Sequence, residues 1–202
     1  MPEQESSQAT RDALREAFDD MIACFQEARD AIDDPALYPP PPTDRHLAEG
    51  YRYVLGFMLA GIERALGDPL YPRFRRAIQP MNRATIDNSD AVYLGVEIDG
   101  NYSYRVRGRA ADSRHWRGEP AAEGKTAPQY VIFELASGHA GDSGKLSEMK
   151  PGTRINTGTL DSATLQVADD GSFEILIAPE KPAGYSGNFI ASKRTSRDVE
   201  NV

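Results

Sequence analysis

Two Asp-Gly blocks constrain this chain more than any other feature of its sequence. They are Ala91–Gly108 (AVYLGVEIDGNYSYRVRG) and Thr164–Pro179 (TLQVADDGSFEILIAP). In each block an alternating apolar run leads to Asp-Gly and a polar residue, and a second alternating run follows. This is the strongest short-range signal for a β-hairpin, because the tight turn needs a positive φ that glycine adopts without strain. The blocks predict two hairpins, with Gly100 and Gly171 at positive φ.

The first half of the chain is patterned for helices. Apolar residues spaced alternately four and three apart recur over residues 14–32 and again over residues 47–65, so each set lies on one helix face. Two helices with matching apolar faces predict a helical hairpin. The expected elements are, in order, a helix capped by Thr10 and running to about Asp33, a stiff proline-rich connector over Pro35–Pro42, a helix capped by Thr43 and running to about Leu66, and a short helix over Leu70–Ile78.

From Asp87 onward the chain is patterned for strands separated by glycine and proline. Strands are expected at about 91–98, 102–108, 129–135, 163–168, 172–178 and 187–192. The long polar segments 109–127 and 137–152 are predicted to be functional or disordered loops. The fold class is therefore α+β, an N-terminal helical hairpin followed by an antiparallel β-sandwich or jelly-roll-like domain. The expected organisation is a disordered N-terminus over 1–9, a helical region over 10–84, the β-sandwich domain over 85–193 and a polar tail over 194–202.

Charge and hydropathy exclude some classes of partner. Residues 1–34 contain ten Asp or Glu and three Arg, which is −7 of the total of −8. The remainder is close to neutral, so no nucleic-acid binding is predicted. No apolar run approaches the roughly 18 residues of a membrane-spanning helix, and no secretory signal pattern is present, so a cytoplasmic protein without membrane contact is expected. The single cysteine, Cys24, lies in an apolar helical stretch and is predicted to be a packed core thiol.

Candidate ligand-binding residues lie on one predicted strand and on the two long loops. Arg105 and Arg107 alternate along a strand and share a face, and guanidinium groups suit carboxylate, phosphate or sulfate. The full candidate set is Arg105, Arg107, His115, Trp116, His139 and Asp142. The alternative is that Arg105 or Arg107 pairs across strands with Glu97, and that the loop histidines are simply solvated. No histidines have metal-ligand spacing, so neither a metal nor a cofactor is predicted.

Three segments resemble a known family. They are Asn88–Gly108 (NSDAVYLGVEIDGNYSYRVRG), Pro128–Leu135 (PQYVIFEL) and Leu165–Asn188 (LQVADDGSFEILIAPEKPAGYSGN), which together resemble the domain of unknown function 1214 over about residues 85–192. The resemblance implies an all-β, sandwich- or jelly-roll-like domain without an established activity or catalytic residues. Phe189 stands where the family tends to show tryptophan. The family usually continues into a further strand, so we expect an open sheet edge that favours a homo-oligomer.

The sequence leaves open whether the protein is an enzyme, and its catalytic residues are unknown. The favoured hypothesis is a non-enzymatic module that binds a small molecule or a protein, or that serves as an accessory domain. Its expected ligand is a small anion. The alternative is a hydrolase or lyase with a site at the sandwich end, built from Arg107, His115, His139 and Asp142.

Overall fold

The α+β class is confirmed in the computed structural model, which describes residues 7–37, 43–77, 88, 90–120, 124–137, 150 and 154–193. The chain divides into two compact units between Ile98 and Asp99. The first contains α1 (Gln8–Asp33), α2 (Asp44–Ala65), β1 (Arg75–Arg76) and β2 (Leu94–Gly95). The second contains β3 (Tyr104–Arg109), a 3-10 turn (Arg114–Arg117), β4 (Ile132–Ser137), β5 (Ile155–Asp161), β6 (Ser172–Ala178) and β7 (Asn188–Ala191). The sandwich or jelly-roll arrangement stays a prediction.

A hydroxyl side chain caps the start of each long helix. Thr43 caps α2 as predicted, because its hydroxyl accepts from the amide of His46 at 3.3 Å. Ser7, and not Thr10, caps α1: its hydroxyl accepts from the amide of Thr10 at 3.2 Å, which places Thr10 inside the first turn. Among the described residues, neither helix is long and apolar enough to cross a lipid bilayer.

The end of α1 packs against the start of α2. A Cβ added at Gly50 would lie only 2.8 Å from Cγ2 of Ile32, and the hydroxyl of Tyr51 donates to the carboxylate of Asp33. The predicted apolar face of α1 is half-buried at this end. Cys24 is exposed, so its predicted core position is wrong. The reason is that one residue along a helix is a rotation of about 100°, which turns Cys24 away from that face.

The segment after α2 is not the predicted third helix over its described part. The amide of Tyr71 donates to the carbonyl of Asp68 at 3.0 Å in a tight turn, and Arg75–Arg76 then pairs with β2. Pro69 and Pro72 explain the difference, because proline has no N–H to donate within a helix.

The strands of the second unit form two small sheets. β3 and β6 pair antiparallel, β6 and β7 pair parallel, and β4 pairs antiparallel with β5. β6 is the central strand, and its residues Ile175–Ala178 are buried on both faces. β5 lies against β7, since a Cβ at Gly158 would approach Cγ2 of Ile190 to 2.8 Å. The buried apolar residues are Ala127, Leu160, Leu165, Ile175, Leu176, Ile177, Ala178 and Ile190.

The first predicted hairpin does not form. β2 pairs with β1, and β3 pairs with β6, although a turn does join Asp99 to Tyr102 through a 3.1 Å backbone bond. Gly100 has no positive φ, so that expectation is wrong. An alternating pattern identifies the two faces of a strand but does not identify its partner, and here β3 pairs with the more apolar β6.

The second predicted hairpin keeps its turn but loses its first strand. Gly171 has a φ of 84°, as predicted, and its amide donates to the carbonyl of Ala168 at 2.8 Å. Residues 163–168 form no strand. The sequence did not predict β5, because Gly158 interrupts the apolar alternation of that strand.

Candidate functional site

The exposed side of β3 carries three arginines, which we call the arginine face: Arg105, Arg107 and Arg109. The opposite side of the strand is half-buried, because Tyr104, Val106 and Gly108 point the other way. The alternation read from the sequence therefore places Arg105 and Arg107 together, as predicted.

Glu174 on β6 binds two residues of the arginine face. It lies directly opposite Arg107 in the strand register, and its carboxylate accepts from Nε of Arg107 at 2.8 Å. Arg105 donates to the second oxygen of the same carboxylate. These two bonds, that of Arg107 foremost, lower the pKa of Glu174 below its ordinary value.

The predicted cross-strand partner, Glu97, is bound elsewhere. Its carboxylate lies 2.6 Å from Nε of Arg64 and 3.1 Å from a guanidinium nitrogen of Arg75. Arg105 and Arg107 do pair across strands with a glutamate, as the alternative predicted, but the partner is Glu174 and not Glu97. The sequence could not reveal Glu174 in this role, because the β3–β6 register is a tertiary property.

A groove of about 640 Å³ opens beside Arg107 and Glu174. Its polar lining also includes Gln166, Ser172 and Tyr185. Its apolar lining residues include Gly108, Val167, Ala168 and Phe173. The ring of Phe173 lies over Gly108, on the opposite side of β3 from the arginine face, and packs against Phe133 with ring centroids 5.8 Å apart. A Cβ at Gly108 would come 2.3 Å from Cζ of Phe173, so only glycine fits beneath the ring.

The side chain of Asn188 fixes the position of Gln166, which lines this groove. Its buried amide oxygen accepts from the amide of Gln166 at 2.7 Å, and its amide nitrogen donates to the carbonyls of Gln166 and Glu174 at 2.9 and 3.0 Å. In a hairpin, the backbone around Gln166 would form hydrogen bonds with a neighbouring strand. Here the backbone of Gln166 bonds to the side chain of Asn188 instead. In the sequence Asn188 is distinguished only as the last residue of a segment that resembles the family of the domain of unknown function 1214.

His115 and Trp116 meet each other but not the groove. The indole N–H of Trp116 donates to the carbonyl of Pro128 at 2.8 Å, and Nε2 of His115 lies 2.9 Å from the same oxygen. The Nδ1 atom of His115 is buried without a hydrogen-bond partner among the described residues. Neither ring lines the groove beside Arg107.

The other two sequence candidates, His139 and Asp142, lie outside the described residues. In the part of the chain that the structure describes, no three His, Cys, Asp or Glu side chains gather so that they could hold a metal ion.

A second groove, of about 770 Å³, is more heavily charged. Its arginines are bound by the protein itself. Arg109 donates to a backbone carbonyl at 2.8 Å, and Arg114 binds the carboxylate of Asp112 through two nitrogens. Arg117 donates to carbonyls of the turn at 162–165. The lining of the second groove also contains four carboxylates, Asp112, Glu119, Asp169 and Asp170, against its three arginines, so it has no excess of positive charge. The first groove, beside two arginines that share one carboxylate, is therefore the stronger candidate for an anionic ligand.

Comparison with known proteins adds one structural relative. No protein-family model and no curated protein matches the chain. The chain is similar to a crystal structure of an uncharacterized protein from Burkholderia cenocepacia, with a TM-score of 0.62 and 25% sequence identity. The match covers 85% of this chain and 41% of that one, so the chain spans less than half the length of this relative. The two proteins therefore share the α+β fold over most of the present chain.

Proposed function

We propose that the protein is a non-enzymatic binding module that takes a small anionic ligand at the groove beside the arginine face. One observation carries the proposal: two guanidinium groups share the single carboxylate of Glu174. The side chains of Arg105 and Arg107 are 52% and 75% exposed, and each guanidinium has five N–H donors. The cluster thus has an excess of positive charge and donors for a carboxylate or phosphate group.

The rest of the groove supports a ligand with a polar and an apolar part. Gln166, Ser172 and Tyr185 offer donors and acceptors, while Val167 and Ala168 add apolar residues to the lining. Such a lining is typical of small-molecule sites, in which a few polar groups fix the orientation of the ligand.

We also propose that residues 85–192 belong to the family of the domain of unknown function 1214. The support is the quoted segments, including Asn188 and the Asp-Gly turn at Gly171. Cytoplasmic localisation stays a prediction. The hydrolase or lyase alternative depends on His139 and Asp142, and no observation among the described residues favours it.

Thermal unfolding of the full chain with acetate, succinate and inorganic phosphate tests the anion site. A bound ligand raises the melting temperature by mass action, by about 2.7 kcal/mol of stability at 100 times its dissociation constant. We expect Arg107→Gln to abolish the rise. Glu174→Gln should enlarge it, because that substitution removes the carboxylate that competes with the ligand for both arginines.

Arg154→Gln is the matched control, since Arg154 pairs with Glu134 at 3.7 Å and does not line the groove. Its response to the anions should equal that of the unmodified chain. The proposal fails if none of the three anions raises the melting temperature, or if Arg107→Gln and Arg154→Gln respond alike.

A further inference from the structure

The carboxylate of Glu174 can accept hydrogen bonds beyond those from the arginine face. Among the described residues, one of its oxygens accepts from Arg107 and the other from Arg105. An ionised carboxylate has about four lone-pair sites, so roughly two stay open, and the side chain is 32% exposed beside the groove. The same two bonds, that of Arg107 foremost, lower the pKa of Glu174, so at neutral pH it accepts hydrogen bonds and donates none. A ligand that reaches Glu174 must therefore bring a donor.

The guanidinium group of Arg107 has an open edge. Glu174 binds its Nε atom, whereas no hydrogen bond from the described residues occupies the terminal nitrogens Nη1 and Nη2. These two nitrogens can present parallel N–H groups to both oxygens of a carboxylate. A ligand carboxylate bound at this edge would lie next to Glu174, because both protein groups line the same groove.

The charges of this cluster favour a ligand with a single negative charge. Arg105 and Arg107 share the one carboxylate of Glu174, so one positive charge remains. A monocarboxylate neutralises that charge, whereas a second carboxylate on the ligand would add an uncompensated negative charge. The neighbouring lining residues Val167 and Ala168 are apolar and suit a short hydrocarbon part.

We propose that the ligand is a short 2-hydroxy monocarboxylate, whose carboxylate binds the Nη edge of Arg107 and whose hydroxyl group donates to Glu174. The hydroxyl group lies on the carbon next to the carboxylate, so a single small molecule can reach two adjacent protein groups. A simple carboxylate would instead place a second anion beside Glu174 without a donor between them, and such a juxtaposition of like charges weakens binding. The inference rests on the proposed anion site and names the class of ligand for it.

Isothermal titration calorimetry of the full chain with propionate, both enantiomers of lactate and both enantiomers of alanine is the test. These compounds share one carbon skeleton and differ only in the group on C2. We expect the better enantiomer of lactate to bind roughly tenfold more tightly than propionate, because it adds a hydrogen bond to a charged acceptor. Alanine should bind more weakly than lactate, because a zwitterion leaves the positive charge of the cluster in place.

Two substitutions assign this preference to the site. Arg107→Gln should abolish the binding of lactate. Glu174→Gln should raise the affinity for propionate and reduce the preference for lactate by a factor of about three or more, because the acceptor loses its charge. Arg154→Gln is the control and should keep the preference, since Arg154 does not line the groove.

Several results would overturn the inference and leave the anion site in place. They are equal affinities for lactate and propionate, alanine binding as tightly as lactate, and a preference for lactate that Glu174→Gln does not change. Absence of binding by both lactate and propionate also overturns it. The proposed function fails with it only if acetate, succinate and inorganic phosphate do not bind either.

Discussion

Asn188 shows how one buried polar side chain can replace a strand pairing. Its amide satisfies both backbone groups of Gln166 and the carbonyl of Glu174, so it joins the segment before β6 to both β6 and β7. A buried amide is tolerated only when its donors and acceptors are satisfied, and here the distances of 2.7–3.0 Å meet that condition. The side chain therefore specifies where residues 165–168 lie.

The two turn glycines should respond differently to a side chain. Gly171 has a φ of 84° and a Cβ there would lie 2.3 Å from the carbonyl oxygen of Ala110, whereas at Gly100 the nearest atom would be the carbonyl oxygen of Ser192 at 3.3 Å. We expect Gly171→Ala to lower the free energy of unfolding by roughly 2 kcal/mol or more, and Gly100→Ala by about 1 kcal/mol or less. Urea denaturation measures both, and equal losses would contradict the assigned backbone conformations.

At the scale of the elements, the pairing of β3 with β6 sets the electrostatics of the candidate site. The register places Glu174 opposite Arg107 and within reach of Arg105, and the resulting hydrogen bonds lower the pKa of that carboxyl group in the folded protein. A group whose folded pKa lies below its unfolded pKa stabilises the protein fully above the unfolded value, which is about 4.3 for Glu. That contribution is lost as the pH falls through the folded pKa.

The acid sensitivity of the chain should therefore depend partly on Glu174. Between about pH 5 and pH 3 the melting temperature of the unmodified protein should fall more steeply than that of Glu174→Gln, which has no carboxyl group to protonate. Glu134→Gln serves as the control, because among the described residues the charged contact of Glu134 is a 3.7 Å approach to Arg154. Parallel curves for the unmodified protein and Glu174→Gln, measured by circular dichroism, would show that the arginine cluster does not stabilise the fold.

At the scale of the whole molecule, the two units differ in how they bury apolar surface. The second unit buries its central strand on both faces, while in the first unit α1 has no fully buried residue. Burial is therefore expected to stabilise the helical hairpin less than it stabilises the sheets.

The exposed thiol of Cys24 offers a direct check on the orientation of α1. The chain contains one cysteine, so the native protein should react with one equivalent of a thiol reagent without denaturant. Absorbance of the released chromophore measures the reaction, with Cys24→Ser as the blank. A thiol that reacts only after unfolding would place Cys24 in a core.

Local signals in the sequence were sufficient for several features that depend on neighbours in the chain, although the Asp-Gly signal failed at Gly100. The four-three spacing determined the helices over residues 8–33 and 44–65, the Asp-Gly turn determined the positive φ of Gly171, and the alternation of β3 determined the common face of Arg105 and Arg107. Hydrogen bonds within four residues and the alternation of strand side chains explain this success, because neither requires a distant partner.

The partners of those elements were decided only by the tertiary structure. The sequence could not show that β3 pairs with β6, that Glu174 rather than Glu97 receives the arginines, or that Asn188 takes the place of a strand. Each of these contacts joins residues far apart in the chain, and many strands of similar pattern could compete for the same pairing. The choice rests on which arrangement buries Ile175–Ala178 on both faces while satisfying every polar group around them, and that balance exists only once the whole unit has assembled.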